Sequence, residues 1–353
     1  MNITKFGWNE NLQESFNSYE SQGYHVGRVA LEHKRMYRVV TQQGEMLAEV
    51  SGKFRFEATS RESYPAVGDW VVLSILEGEG KAIIHAVLPR FSKFSRKAAG
   101  TVTEEQIVAT NINLVFLVNA LNNDFNLRRI ERYLLMAWES GANPVIVLTK
   151  SDLCDDVESK ISEVESVAYG VPIHACSVKN NIGLDSLMAY FKGNQTVALL
   201  GSSGAGKSTL TNSLLGEEKL LVQEVREDDD RGRHTTTHRE LVLLETGGVI
   251  IDTPGMRELQ LWESEAALGH SFQDIEELSN NCRFRDCSHH SEPGCAIQAA
   301  IEDGTLESGR YQSYVKLQKE LAYLDRKTDK KAQMVEKDKW KKITSSAKQK
   351  KKF

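Results

Sequence analysis

The chain has 353 residues, 40% of them hydrophobic, enough for two or three domains with sizeable cores. Its formal net charge of −5 excludes a protein that coats nucleic acid with its whole surface, and five unevenly spaced cysteines exclude a disulfide framework. Met1–Tyr19 is polar, unlike a signal peptide, and no apolar run nears the roughly 20 residues of a membrane span, so a cytoplasmic protein without membrane contact is expected.

Residues 1–24 carry no firm signal and are read as an N-terminal extension. Over 25–95, five short apolar stretches (Gly27–Leu31, Met36–Val40, Glu45–Val50, Asp69–Ile75 and Ala82–Val87) alternate with turns such as Gln43-Gly44. Five strands in so short a span predict a small closed barrel of OB type, a fold that often binds oligonucleotides. Trp70 is assigned to its core. Arg90-Phe91-Ser92-Lys93-Phe94-Ser95-Arg96-Lys97 interleaves aromatic and basic residues, which suits RNA, and equally suits a linker anchored by two Phe side chains.

A second domain is expected over 96–258. Asn113–Val118 and Pro144–Leu148 read as buried strands, with Leu127, Ile130, Leu134 and Ala137 at helical spacing between them and Gly141 as the stop. A further helix, stopped near Gly170, precedes the strand Val171–Ala175, while Cys154 and Cys176 read as small core residues. The alternation of strands and helices implies a mostly parallel sheet with ligands at its carboxyl ends.

Gly201-Ser202-Ser203-Gly204-Ala205-Gly206-Lys207-Ser208-Thr209 follows the apolar run Thr196–Leu200 and opens a helix. Such a loop presents successive N–H groups as an anion nest at a helix N-terminus, with Lys207 on the β- and γ-phosphates and Ser208 on Mg²⁺. Thr149-Lys150-Ser151-Asp152 selects the base: a carboxylate at Asp152 pairs with N1–H and N2 of guanine, Lys150 lies along the purine, and an amide of Ser177-Val178 meets the guanine carbonyl. Thr149 stands where GTPases often have Asn, and its hydroxyl is expected to brace the phosphate loop.

Arg231-Gly232-Arg233-His234-Thr235-Thr236-Thr237 is read as the first switch, with Thr236 assigned to Mg²⁺ and the γ-phosphate. Asp252-Thr253-Pro254-Gly255 is the second: Asp252 would hold Mg²⁺ through water, and the Gly255 amide would bond the γ-phosphate. The next residue, Met256, cannot orient an attacking water as the Gln of many GTPases does. Slow intrinsic hydrolysis is therefore expected, with His234 and an external partner as candidates for help. The guanine-reading loops precede the phosphate loop, the reverse of an ordinary G domain, which implies circular permutation.

These features together resemble the ribosome small-subunit-dependent GTPase A (RsgA) family. The resemblance runs from Gly27 to Leu324 and includes Phe94–Gly100, Asp124–Tyr133, His234–Thr237 and the cysteine motif described next. It implies a GTPase acting late in maturation of the small (30S) ribosomal subunit, whose hydrolysis that subunit stimulates.

Over 259–325 the spacing Cys282-x4-Cys287-x-His289-x5-Cys295 predicts one structural, tetrahedral Zn²⁺; His290 rivals His289, and the family pattern favours His289. Tyr311, Tyr314, Val315, Leu321 and Leu324 form the apolar stripe of a helix. The tail, 326–353, carries seven lysines from Lys339 onward and no acidic residue there, which reads as an RNA-phosphate contact. The expected architecture is thus a multidomain chain: an all-β OB-type barrel, a central α/β circularly permuted P-loop G domain, and a mainly α zinc domain. The expected function is GTP hydrolysis by a monomer that binds rRNA through barrel, zinc domain and tail. The alternatives are an RNA-binding module with GTP as a structural ligand and a P-loop kinase, the latter disfavoured by the guanine loop.

Overall fold

In the computed structural model, β1 (His25–His33), β2 (Met36–Thr41), β3 (Gly44–Val50), β4 (Trp70–Leu76) and β5 (Lys81–Val87) pair in the order β1-β2-β3-β5-β4. β4 pairs back onto β1, so the barrel is closed, with β3 and β5 the parallel pair. The structure describes residues 1–33, 35–76, 78–97, 105–216, 240–252, 268–269, 271–290 and 292–322. The inward positions (Val29, Val39, Ala48, Val71, Leu73 and Ile84) form the barrel core. Gly27 is required there, because a Cβ at that position would lie 2.5 Å from Val39 Cγ1.

The N-terminal residues are structured, which their polar sequence conceals. Ile3–Phe6 forms a 3₁₀ turn and Glu10–Glu20 a helix (α1), capped by Asn9, whose side chain accepts the Leu12 amide. Only Leu12 and Phe16 of α1 are buried, too few for a clear periodic signal. Trp8 then packs edge-on against Trp70, 4.8 Å between centroids, and Trp70 is a core residue as expected.

The aromatic and basic stretch after the barrel is anchored by one of its two Phe side chains. Lys93–Lys97 (β6) pairs with Glu105–Thr110 (β7), and Phe94 is buried, so that ring is an anchor. Arg90 is committed to the fully buried Asp69 in an ion pair at 2.6 Å, while Phe91 stays half-exposed.

The second half of the same sheet contains β8 (Leu114–Ala120), β9 (Asn143–Thr149), β10 (Ile173–Ala175), β11 (Thr196–Gly201), β12 (Glu240–Leu243) and β13 (Val249–Asp252), in the order β10-β9-β8-β11-β13-β12. All neighbours there are parallel except β12 and β13. α2 (Gly52–Glu57) follows β3 in the barrel, and between the later strands lie α3 (Leu127–Ser140), α4 (Val157–Glu165), α5 (Leu184–Met188) and α6 (Lys207–Leu215). β9 and β10 precede β11 in the chain yet join its sheet on the far side of β8, so the permuted order builds an ordinary doubly wound sheet.

β12 also pairs with β1, through Leu31 and Glu240, and Arg38 of β2 makes an ion pair with Glu240. Barrel and G-domain sheet are therefore continuous. Arg28, wholly buried over Trp70, donates to the carbonyls of Phe6, Gly68 (3.1 Å) and Asn111 (3.0 Å) and to the Thr196 hydroxyl (2.9 Å). Contacts divide the chain into Met1–Gln260 and Leu261–Phe353.

Within the second unit, helices Gln273–Asn280, Ala296–Glu302 and 308–322 enclose Phe272, Ile275, Ile297, Leu317 and Leu321. Arg310 binds both oxygens of Asp274 at 2.7 Å and lies over Phe272. On helix 308–322, Leu321 of the expected stripe is buried while Tyr311, Tyr314 and Val315 are half-buried; Leu317 adds a second buried position, and Leu324 lies outside the described residues. Cys176 is core, whereas Cys154 is half-buried, a correction that follows from its place in an exposed loop after β9. No helix among the described residues is long and apolar enough to cross a membrane.

Candidate active site

The phosphate loop leaves the carboxyl end of β11, the strand flanked by β8 and β13, where a doubly wound sheet places its ligands. Gly201 must be glycine, since a Cβ would meet Val118 O of β8 at 2.3 Å. Gly204 and Gly206 take left-handed backbone (φ 77° and 85°), which curls the loop into a nest ending at the N-terminus of α6. Ala205 is buried beneath it, while Ser202, Ser203, Ser208 and Thr209 are half-buried around it. Lys207, first residue of α6, donates from Nζ to Gly201 O (2.9 Å) and Ser202 O (2.6 Å).

Two neighbouring loops reach this nest. Thr149, at the end of β9, has its hydroxyl 2.7 Å from Ala205 O and 3.3 Å from Asn119 O. The Ser202 hydroxyl donates to Asp124, in the loop after β8, at 2.7 Å. Nothing in the sequence reading singled out Asp124 beyond its place in a family-like stretch.

The base-reading loops also come together. Lys150 adopts left-handed backbone (φ 57°), turning Ser151 and Asp152 back so that the Ser151 amide bonds Cys176 O at 3.1 Å. The Ser177 hydroxyl donates to Asp152 Oδ1 at 2.6 Å and accepts the Asn180 amide at 3.2 Å. That bond, seconded by Lys179 and Lys150, holds the exposed Asp152 carboxyl below the usual carboxylate range. The Ser177 N–H is committed to Ile182 O (3.0 Å), so of the two amides considered for the guanine carbonyl only that of the half-buried Val178 remains.

Asp252 closes β13, opposite Glu240 of β12. His234, Thr236, Gly255 and Met256 lie outside the described residues.

In the second unit the ligand atoms of Cys282, Cys287, His289 and Cys295 all lie within 4.8 Å of one another. Left-handed backbone at His289 (φ 58°) brings Nδ1 to 3.5 Å from both Cys282 Sγ and Cys295 Sγ, while His290 is exposed. The first amides of helix Ala296–Glu302 point at sulfur: Ala296 donates to Cys282 (3.4 Å) and Gln298 to Cys295 (3.5 Å). Burial works against ionisation of Cys282, but the Ala296 and Ile297 amides together with the neighbouring Cys287 and Cys295 thiols outweigh it and bring its thiol below the ordinary value. Three sulfurs and one imidazole, two of the sulfurs met by amides, suit a thiophilic cation in a closed site.

A phosphate nest after β11 and a guanine-type carboxylate after β9, at the same carboxyl edge on either side of β8, define a circularly permuted P-loop GTPase. Comparison with known proteins agrees. A family model described as RsgA GTPase matches residues 87–262, and one described as 50S ribosome-binding GTPase matches 196–342. A protein of Oceanobacillus iheyensis named small ribosomal subunit biogenesis GTPase RsgA 1 is 50% identical over 349 residues, 99% of each chain. One of Opitutus terrae, named small ribosomal subunit biogenesis GTPase RsgA, is 45% identical over 97% of this chain and 96% of its own. The crystal structure of YjeQ from Thermotoga maritima superposes with a TM-score of 0.63 at 28% identity, covering 85% of this chain and 99% of that one. The chain belongs to the RsgA GTPase family, and it is an enzyme that hydrolyses GTP.

Proposed function

We propose that this GTPase is a maturation factor for the small ribosomal subunit, working as a cytoplasmic monomer and using GTP to time its stay there. The observation that carries the reading is end-to-end identity of 50% to a relative named for biogenesis of that subunit, on a chain whose nucleotide loops are assembled. Barrel (25–95), zinc domain (259–325) and basic tail (326–353) supply the rRNA contacts, and residues 96–258 the G domain. Gly201–Thr209 hold the phosphates, Thr149–Asp152 with Ser177 and Val178 hold guanine, and Ser208, Thr236 and Asp252 would hold Mg²⁺, which supplies charge neutralisation on the phosphates when bound. Cys282, Cys287, His289 and Cys295 would hold Zn²⁺ as a structural staple. The Gly255 amide bonds the γ-phosphate.

Met256 leaves the attacking water without a strong hydrogen-bond partner, so turnover depends on a partner that orders His234. Purified small subunits are expected to raise steady-state GTP turnover by at least about tenfold, and large subunits to leave it unchanged. The large-subunit arm matters because one matching family model carries a 50S description. Pelleting should show tighter small-subunit binding with a non-hydrolysable GTP analogue than with GDP. Equal turnover with both subunits would overturn the assignment to the small one, and equal pelleting in both nucleotide states would remove the timing role. A protein for which GTP is only a structural ligand would show no stimulation at all.

A further inference from the structure

Asp124 belongs to none of the assigned motifs, yet its carboxylate touches the phosphate loop. It sits between β8 and α3, and Ser202, second residue of the loop, donates to Oδ2 at 2.7 Å. Arg129, in the first turn of α3, grips the same carboxylate with two bonds, Nη1 to Oδ2 at 2.7 Å and Nη2 to Oδ1 at 3.0 Å. Both partners are fixed locally: Asn122 Oδ1 accepts the Asp124 amide (3.1 Å), and Asn126, the cap of α3, accepts that of Arg129 (3.0 Å). The fork pairing strengthens the guanidinium's hold on its proton.

The phosphate loop is thus held at two points. Thr149 meets Ala205 O in its second half, and Asp124 holds the Ser202 side chain in its first, while Lys207 takes the Ser202 carbonyl. A carboxylate against a loop built to receive an anion is electrostatically adverse unless its charge is cancelled. The paired guanidinium provides that cancellation.

We propose that Asp124 is a positioning residue for the phosphate loop, anchoring Ser202, and that Arg129 clamps it and cancels its charge beside the phosphates. The proposal rests on GTP occupying this loop. Titration of GTP and GDP into the full-length wild type comes first: no GTP binding there would sink the functional reading itself, before any variant is compared.

Arg129→Gln uncovers the carboxylate and is expected to weaken GTP roughly tenfold, and GDP less, since GDP carries one charge fewer. The difference should shrink as salt is raised. Asp124→Ala with Arg129→Gln should bring the GTP-to-GDP affinity ratio back to the wild-type value, which a purely structural role would not do. Ser202→Ala should weaken both nucleotides by a similar factor in the wild type and add little once Asp124 is alanine, because the one bond it removes is already gone. Asp124→Asn keeps an acceptor for Ser202 and should retain most of the affinity, so that misfolding is not mistaken for loss of the anchor. Equal weakening of GTP and GDP by Arg129→Gln at all salt concentrations would overturn the charge role. Independent, multiplying losses for Ser202→Ala and Asp124→Ala would overturn the anchor.

Discussion

Replacing Asp152 by Asn is expected to move affinity from GTP to XTP, with GTP weakened by several orders of magnitude. Guanine presents two donors, N1–H and the N2 amine, and only a carboxylate accepts both. An amide turns one acceptor into a donor, which faces the N2 amine of guanine unfavourably but pairs with the C2 carbonyl of xanthine. Sites built on hydrogen-bond complementarity discriminate by about 10⁴ or more when a partner is left unmatched. The exchange is a clean one here, because the Ser177 hydroxyl, 2.6 Å from Asp152 Oδ1, can donate to an amide oxygen as well. The loop is thus kept and only the chemistry facing the base is changed. Titration with both nucleotides measures the exchange; unchanged GTP binding would remove Asp152 from the site.

The largest effect on stability is expected from Cys287→Ala. Elemental analysis of the wild type should find one Zn²⁺ per chain, and the variant should lose it. The described residues of the second unit bury a modest apolar core, centred on Phe272, Ile275, Ile297 and Leu317, so closure of a metal site would be a large part of what holds it. A structural zinc contributes on the order of 10 kcal/mol in small domains, comparable to a whole domain's usual net stability. Circular dichroism should show helix loss and an early melting transition, and a chelator should reproduce it in the wild type. GTP binding should survive, since the nucleotide loops belong to Met1–Gln260. Full thermal stability without metal would exclude the staple.

The parts of the fold that could be read in the sequence were those whose chemistry is written in local spacing. The glycines of 201–206 mark a loop because left-handed backbone and close strand approach leave few other residues possible there. Alternating apolar residues marked the five barrel strands to within a residue or two at most ends. The pairing of Thr149 with the phosphate loop was legible because a hydroxyl in that tetrapeptide has one obvious task. Interactions between distant, ordinary-looking residues were not legible. Ser202 and Asp124 stand 78 positions apart. Arg28 sits in a strand that otherwise reads as apolar, and its acceptors are a hydroxyl and the carbonyls of three separate segments, which no side-chain pattern announces. The α1 helix was hidden because two buried side chains do not make a period.

Arg28 has a thermodynamic consequence. Its donors tie the N-terminal turn, the barrel, the segment after β7 and the first residue of the phosphate strand into one set of bonds that is made or lost together. Unfolding the barrel alone withdraws the guanidinium and leaves the Asn111 carbonyl and the Thr196 hydroxyl short of a donor, at about 1–3 kcal/mol for each that stays buried. Unfolding of the barrel alone is therefore penalised, and the barrel is expected to melt with the G-domain sheet as a single cooperative block. A ligand that binds only the folded block raises the stability of all of it. GTP held by the phosphate loop at the carboxyl end of β11 would thus protect the barrel as well as the G domain from unfolding.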